Sequence, residues 1–284
     1  MSKKFPENTP QVLNAFVLNV SLPALVLLHV HNIQISADIF LPALMPWIVF
    51  LFSFLLLYIL YILKRIDYKT LICLSLTSGL GNTSFVGIPL LQSYLGNGAI
   101  GYAIISDQLG TFLVLSFPGL ILANLAEKGT WDIKFLIRRV FTFTPVIALC
   151  LAILFRLFAY PEWLELVLQR LGDTLSPLAL VSVGFLLNLR TLKGHKLLLL
   201  LGLSIKLILA PTIIILIYCS ITPNRLMFET IVLEAAMAPM VTSTIVAIDR
   251  NLAPHLASLM LGVGIPFSFL TTYCFLLLLK SGYI

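Results

Sequence analysis

Three ionisable residues, Asp107, Lys206 and Glu234, lie deep within long apolar stretches of the sequence. A charged side chain is costly to keep inside a bilayer, so residues of this kind often serve a substrate, an ion or a proton. Lys206 could offset the charge of a bound anion while Asp107 or Glu234 exchanges a proton. Alternatively, Lys206 forms a salt bridge with one of the two acids and only holds helices together. Under the functional interpretation, these three residues couple transport to proton movement.

Neutral polar residues accompany these charges in two segments that also contain Gly and Pro. A broken helix inside a membrane exposes backbone groups, and its new N-terminus attracts anions. The segments therefore predict a midplane site for a small carboxylate, with Pro89 maintaining the first break. Each hydroxyl could instead bond to its own backbone and serve only helix packing. The predicted substrate-binding residues are Asn82, Thr83, Ser84, Pro89, Asp107, Gln108, Lys206, Met237, Thr242, Ser243 and Thr244.

The composition indicates which elements must hold these residues. Of the 284 residues, 60% are hydrophobic and only 11% are charged, and the mean hydropathy is +1.04. A soluble domain has about a quarter of its residues charged, so this chain lacks the polar side chains that a water-facing surface needs. The composition therefore predicts an all-α integral membrane protein. The net charge of +6 is spread over short loops, so we expect no nucleic-acid partner.

Apolar stretches long enough to cross a bilayer recur along the whole chain. They predict nine transmembrane helices, near Val12–Val30, Phe40–Leu63, Thr70–Leu95, Ala99–Ala126, Phe141–Phe158, Trp163–Leu189, Lys196–Cys219, Met227–Ile248 and Pro254–Leu279. The sixth segment is the least apolar, and its first half could lie along the interface. In that case the span itself begins near Leu175.

Loop charges test this topology. If the chain crosses at every segment, thirteen of its eighteen Lys and Arg residues lie on one face and three on the other. The remaining two, Arg170 and Lys206, lie within segments. Cytoplasmic loops collect Lys and Arg. The chain is therefore predicted to be a multi-pass protein of the cell (inner) membrane, with its N-terminus in the cytoplasm and its C-terminus outside.

An internal repeat relates the two halves of the chain, 1–126 and 127–284. The stretch Leu18–Leu28 (LNVSLPALVLL) resembles Asp173–Val183 (DTLSPLALVSV). Each is followed by a very apolar segment, a weakly apolar segment with helix breakers, and a long final segment. The offset between the repeats is an odd number of helices, which predicts an inverted repeat of four and five helices. Helix breakers at matching places in such halves indicate a transporter site at the midplane, although Gly and Pro are also common in ordinary membrane helices.

The stretch Gly81–Gly96 (GNTSFVGIPLLQSYLG) closely resembles the fourth-helix motif of the auxin efflux carrier family. That family includes the plant PIN carriers and bacterial malate and malonate permeases. Ser106–Gly110 (SDQLG), Ser182–Leu187 (SVGFLL), Lys206 and Glu234–Val246 (EAAMAPMVTSTIV) are similar to it as well. The resemblance covers nearly the whole chain, and residues 82–90 are its most specific part.

The resemblance implies ten helices in two inverted five-helix repeats, with two broken helices that cross at the substrate site. This chain would lack the first helix of that fold, either as a genuine nine-helix member or through the choice of start codon. The resemblance further implies a scaffold (12–30, 141–158 and 163–189) and a mobile transport domain (40–126 and 196–279). The spans that begin at Val12 and Trp163 would form a homodimer.

Other function classes leave no matching pattern in the sequence. His29 and His31 have no cysteine or carboxylate cluster nearby, so we expect no metal site and no cofactor. We found no P-loop, zinc-protease motif or nucleophile elbow, so we expect no enzyme. The predicted function is a secondary transporter of a small organic anion that works by alternating access, with proton coupling as one option. The alternative is a non-transporting membrane sensor or a membrane-embedded enzyme on the same fold.

Overall fold

The structure, a computed structural model, describes residues 5–6, 8–31, 37–126, 133–186 and 195–281. Throughout these ranges the chain forms helices joined by connections, with no β-strand, which confirms the predicted all-α class. In the first half of the chain the helices longer than one turn are α1 (Thr9–His31), α2 (Phe40–Ile62), α3 (Tyr68–Gly79), α4 (residues 83–95) and α5 (Asn97–Ala126). In the second half they are α6 (Ile133–Thr142), α7 (Thr144–Leu154), α8 (Glu162–Asp173), α9 (Leu175–Leu186), α10 (Lys196–Tyr218), α11 (Arg225–Ala235), α12 (Val241–Asp249) and α13 (Pro254–Lys280).

Five of these helices are long and apolar enough to cross a bilayer: α1, α2, α5, α10 and α13. The other four predicted segments contain shorter helices. Two of those segments hold a pair of half-helices each, α3 with α4 and α11 with α12. The segment predicted to begin at Trp163 divides into α8 and α9 on either side of Thr174. The chain is thus a helical membrane protein, and the count of nine spans and the inverted repeat stay predictions.

Local sequence explains where several of these helices begin and end. The side chain of Asp67 accepts a hydrogen bond from the backbone N–H of Thr70 (3.1 Å) and caps α3. Asn224 caps α11 by accepting from the N–H groups of Leu226 and Met227 at 2.9 and 3.2 Å. Such caps accept hydrogen bonds from backbone N–H groups that have no partner within the first turn of a helix. At the end of α4, Gly96 has a φ of 79°, a conformation that glycine adopts without steric cost.

Basic residues of several predicted cytoplasmic loops lie at one end of the bundle. The rings of His195 and His255, at the starts of α10 and α13, are 5.4 Å apart between centroids. Near the start of α3, Cys73 Sγ lies 3.8 Å from the carbonyl oxygen of Ala253. The starts of these three helices therefore lie at one end of the molecule. Lys69, Lys196 and Arg250 are at or next to these helix starts.

Helices α2 and α5 pack closely where Gly110 faces Pro46. A Cβ atom at Gly110 would lie 2.5 Å from Pro46 Cγ and 2.9 Å from the carbonyl oxygen of Ala43. Because one of these neighbours is backbone, a side chain fits here only if the two helices separate. This contact holds the middle of α5, which contains Asp107, against α2.

Replacing Gly110 with alanine is expected to destabilise the protein by about 2 kcal/mol, the scale of overpacking in a tight core. The matched control is Gly184→Ala in α9, where an added Cβ meets nothing within 4 Å. We expect the control to leave stability unchanged or slightly raised. Thermal unfolding of the purified variants in detergent measures both changes, and equal melting temperatures for the two would contradict the packing argument.

Candidate functional site

The interruptions of the two broken helices meet and hydrogen-bond to each other. Asn82 donates its backbone N–H to the carbonyl of Ala238 (2.7 Å), and Met240 donates its N–H to the carbonyl of Leu80 (3.1 Å). Between these bonds, Gly81 and Pro239 form an isolated antiparallel bridge. Non-helical backbone inside a membrane must find partners within the protein. Here the two breaks supply partners for one another, and we call this contact the crossover.

The crossover depends on a position without a side chain. A Cβ atom at Gly81 would lie 3.1 Å from the Nζ atom of Lys206 and 3.4 Å from the carbonyl oxygen of Glu234. Within α4, a Cβ atom at Gly87 would lie 2.6 Å from Oε2 of Glu234. These two glycines of the Gly81–Gly96 motif let α4 approach Lys206 and Glu234 closely.

Both half-helices that follow the crossover have polar residues at or near their first turn. The Asn82 side chain caps α4 by accepting from the N–H of Phe85 at 3.2 Å. At the start of α12, the hydroxyls of Ser243 and Thr244 donate to the carbonyl of Met240 at 3.0 and 2.9 Å. Ser243 and Thr244 therefore bond to their own backbone, as their alternative interpretation held.

The first turns of α4 and α12 open into one cavity of about 200 Å³. Its polar lining residues are Asn82, Thr83, Ser84, Asp107 and Thr242. Its apolar lining residues are Leu18, Phe85, Phe112, Leu115, Phe143, Met240 and Val241. The cavity thus lies between the two half-helices and α5 on one side and α1 and the residue before α7 on the other. Positive ends of helix dipoles on one wall favour a ligand with a negative or electron-rich group.

Asp107 is the ionisable residue in this lining, and it is almost fully buried. The hydroxyls of Thr83 and Ser84 both donate to its Oδ1 atom, each at 2.5 Å. The side-chain amide of Gln108 donates to Oδ2 at 2.6 Å. Asp107 therefore occupies the hydroxyl donors at the start of α4, so these donors reach a ligand only if Asp107 releases them.

Lys206 and Glu234 lie on the other side of the crossover, outside the cavity lining. Lys206 donates from Nζ to the carbonyl oxygen of Ala235 at 2.9 Å, at the end of α11. Both carboxylate oxygens of Glu234 are buried without a hydrogen-bond partner among the described residues. A void of about 10 Å³ separates these two side chains from Thr83 and Thr111, and a void of that size can hold one water molecule.

The predicted site residues therefore fall into separate groups. Asn82, Thr83, Ser84, Asp107 and Thr242 line the cavity, and Gln108 contacts it through Asp107. A second group supports the crossover: Lys206, Glu234, Ser243 and Thr244 through the contacts above, and Met237 as a buried residue of the break.

The expectation for Pro89 is wrong. The break lies at residues 80–82, and Pro89 sits in the second turn of an uninterrupted helix, away from the cavity lining. The Pro ring is tolerated there because the turn before it, Thr83–Gly87, is a π-helical turn. The asparagine cap and Gly81 make the break instead.

Sequence reasoning missed the aromatic wall of the cavity. The rings of Phe112 and Phe143 stack at 4.1 Å between centroids and 14° between planes. A phenylalanine in an apolar segment resembles any lipid-facing or core residue, so its type gave no signal. A local signal existed for Phe143. It lies in the stretch Phe141–Pro145 (FTFTP), and proline is common in the first turn of a helix, so a new helix can begin there.

Two comparisons place the chain among known proteins. The sequence profile of a family described as membrane transport protein matches residues 1–276. An uncharacterized transporter of Methanothermobacter thermautotrophicus is 26% identical over 255 residues, which is 89% of this chain and 83% of that protein. An uncharacterized transporter of Methanocaldococcus jannaschii is 27% identical over 200 residues, 66% of this chain and 63% of that protein.

Proposed function

The chain belongs to the membrane transport protein family, which includes the auxin efflux carriers, and from that premise we propose that it is a secondary carrier of a small organic carboxylate. One observation carries the proposal: the first turns of two half-helices, α4 and α12, open into a single cavity beside a buried acid. An anionic group placed there meets the positive ends of both helix dipoles. Family and relatives are transporters by name, which favours transport over catalysis.

The lining of the cavity constrains the substrate. Phe85, Phe112 and Phe143 contribute aromatic surface, and Lys and Arg are absent from the described lining. Neutral donors and helix ends must therefore hold the carboxylate, and apolar side chains must contact the rest of the molecule. A carboxylate with one charged end and an apolar body fits this arrangement better than a molecule charged at both ends.

We propose that Asp107 couples transport to proton movement. An anionic substrate and an ionised Asp107 repel each other in so small a cavity. When Asp107 takes up a proton, the repulsion ends and its carboxyl group becomes a donor. The hydroxyls of Thr83 and Ser84 are then free to donate to the substrate carboxylate. Loss of the proton on the opposite side of the membrane restores the hydrogen bonds to Asp107 and expels the substrate.

Alternating access requires one group of helices to move against another. We propose that α1, α7, α8 and α9 form the scaffold and that the crossover helices, with α2, α5, α10 and α13, form the transport domain. The cavity is lined from both groups, by Leu18 and Phe143 on one side and by α4, α5 and α12 on the other. Relative movement of the two groups would open it to one face at a time.

The proposal also includes a homodimer formed through the scaffold helices and an orientation of the chain in the membrane. Val12 on α1 and Trp163 on α8 expose large apolar side chains, which suits a homodimer through these helices in a bilayer. The end of the bundle that carries Lys69, Lys196 and Arg250 would face the cytoplasm in the inner membrane. A cytoplasmic N-terminus and an outer C-terminus follow if the chain crosses nine times, and reporters fused to the two termini test this.

The transport proposal is tested by a ligand screen followed by a flux measurement. Purified protein is heated with a panel of carboxylates, amines and neutral compounds, and a ligand at about 100 times its Kd should stabilise it by about 2.7 kcal/mol. We expect a monocarboxylate with an apolar body to give the largest shift. Protein reconstituted in liposomes should then take up that compound saturably when a pH gradient is imposed. Stabilisation by amines alone, or carboxylate binding without flux, would contradict the proposal.

A further inference from the structure

The helix α6 (Ile133–Thr142) presents a mixed basic and apolar face to the outside of the molecule. Lys134, Ile137, Arg138 and Phe141 are all exposed. At about 100° per residue these four side chains cover an arc of about 100° on the helix surface. The two apolar residues lie on the side of the arc nearer the buried Val140, and the two basic residues lie on the far side. Around the helix axis, the buried Val140 is therefore followed first by the exposed apolar side chains and then by the exposed basic side chains.

A helix with this order of side chains is suited to the boundary between lipid head groups and acyl chains. The apolar side inserts into the acyl region while the Lys and Arg side chains reach the head groups. Position supports this reading, since α6 directly precedes α7, a short apolar helix of a predicted span. The positive charge of Lys134 and Arg138 selects head groups of negative charge.

The inner side of α6 connects this face to the cavity. Val140 packs in one cluster with Phe112 of α5 and Val146 of α7, and Phe143 packs against that cluster. Phe143, the residue that joins α6 to α7, donates its N–H to the carbonyl of Val140 at 3.3 Å. Its own carbonyl accepts from the N–H of Val146 at 3.0 Å. A change in the tilt of α6 therefore moves the aromatic ring that forms part of the cavity wall.

We propose that the exposed face of α6 binds anionic phospholipids at the membrane surface, and that this contact positions Phe143 in the wall of the cavity. The partner is a phospholipid with a net negative head group, such as phosphatidylglycerol. Neutral phospholipids contact the apolar side but lack the charge for Lys134 and Arg138. The lipid thereby regulates access to the cavity without entering it.

The first experiment measures lipid binding, and it needs no knowledge of the transported substrate. Fluorescent phosphatidylglycerol or phosphatidylcholine is titrated into the full-length protein in uncharged detergent micelles. Each basic side chain near an anionic head group strengthens the association about fivefold. The double variant K134Q/R138Q should therefore bind phosphatidylglycerol about 25-fold more weakly, with phosphatidylcholine binding unchanged.

A matched control removes two exposed positive charges elsewhere, from the connection before α3 and the first turn of α3, in the variant R65Q/K69Q. This control should retain phosphatidylglycerol binding within twofold of the unaltered protein. Wild-type affinity in K134Q/R138Q, or equal losses in both double variants, would overturn the lipid site. The second outcome would mean that the lipid responds only to net charge.

The second experiment measures the effect on the cavity. A cysteine replaces Thr242, which lines the cavity, in a protein whose four natural cysteines are changed to alanine. Its reaction rate with a small polar thiol reagent should differ several-fold between liposomes with and without phosphatidylglycerol. K134Q/R138Q should abolish this difference and R65Q/K69Q should keep it. Lipid binding without any change of labelling rate would overturn the link to Phe143.

Discussion

Asp107→Asn is expected to abolish proton-driven uptake while the protein stays folded. Asparagine has nearly the same shape and is neutral, as protonated Asp107 is, so it does not repel the anion and holds the hydroxyls of Thr83 and Ser84 less tightly than the carboxylate does. It carries no exchangeable proton at this position, so substrate movement loses its link to the pH gradient. We expect uptake against the substrate gradient to fall by about 100-fold or more, the scale of losing a positioned proton-transfer group.

Exchange of internal for external substrate should survive in the same variant. Exchange moves the substrate in both directions without net proton movement, so it needs only binding and alternating access. Radiolabelled uptake under a pH gradient and counterflow at equal pH, measured on the same liposomes, separate the two processes. Asp249→Asn is the control, since Asp249 is exposed at the end of α12. Normal pH-driven uptake by Asp107→Asn would remove Asp107 from the coupling mechanism.

Lys206→Met is expected to destabilise the protein by about 3 kcal/mol, because the change leaves a buried acid without its neighbouring cation. Lys206 also donates to the carbonyl oxygen of Ala235, which would lose this partner. Adding Glu234→Gln should restore most of the stability, because two buried charged residues can often be replaced together by neutral side chains. The control is Lys196→Met, at the exposed start of the same helix.

The double variant K206M/E234Q also separates two roles for Lys206. Its Nζ atom lies at the crossover and outside the cavity lining, so the geometry favours the structural role over contact with the anion. We therefore expect the double variant to bind the carboxylate found in the ligand screen with wild-type affinity. Thermal unfolding and titration of that ligand measure the two properties. A folded double variant that no longer binds would show that Lys206 serves the substrate.

Composition predicted the helical class, and the two segments with helix breakers contain several of the residues that line the cavity. The reason is physical: a bilayer leaves the backbone few choices, and a cluster such as Gly81, Asn82 and Thr83 cannot continue a helix without cost. Asn82, Thr83 and Thr242 were placed together from the sequence because each directly follows or caps such a break. The same reasoning selected Pro89 wrongly, because the π-helical turn before it, Thr83–Gly87, accommodates the proline within the helix.

The direction in which a side chain points was the harder problem. Lys206 was recognised by its depth in an apolar segment, but depth does not tell which neighbour a side chain meets around the helix axis. A π-helical turn at Ile205–Leu209 changes that direction further. Phe112 and Phe143 were missed for a related reason: within a membrane an aromatic residue suits lipid, core and cavity alike. Their role became visible only when four separate helices, α1, α4, α5 and α12, were seen to enclose one space.

The crossover has a consequence for how this protein can change over evolutionary time. Its two hydrogen bonds join peptide groups, at Asn82 with Ala238 and at Met240 with Leu80, so they do not depend on which side chains stand there. Substitutions at residues such as Leu80 and Ala238 can accumulate without loosening the joint, provided that the new side chains fit the core. Gly81 is different, since any larger residue meets Lys206. The residues of the cavity wall can therefore change to suit a new substrate while the same main-chain contact is kept.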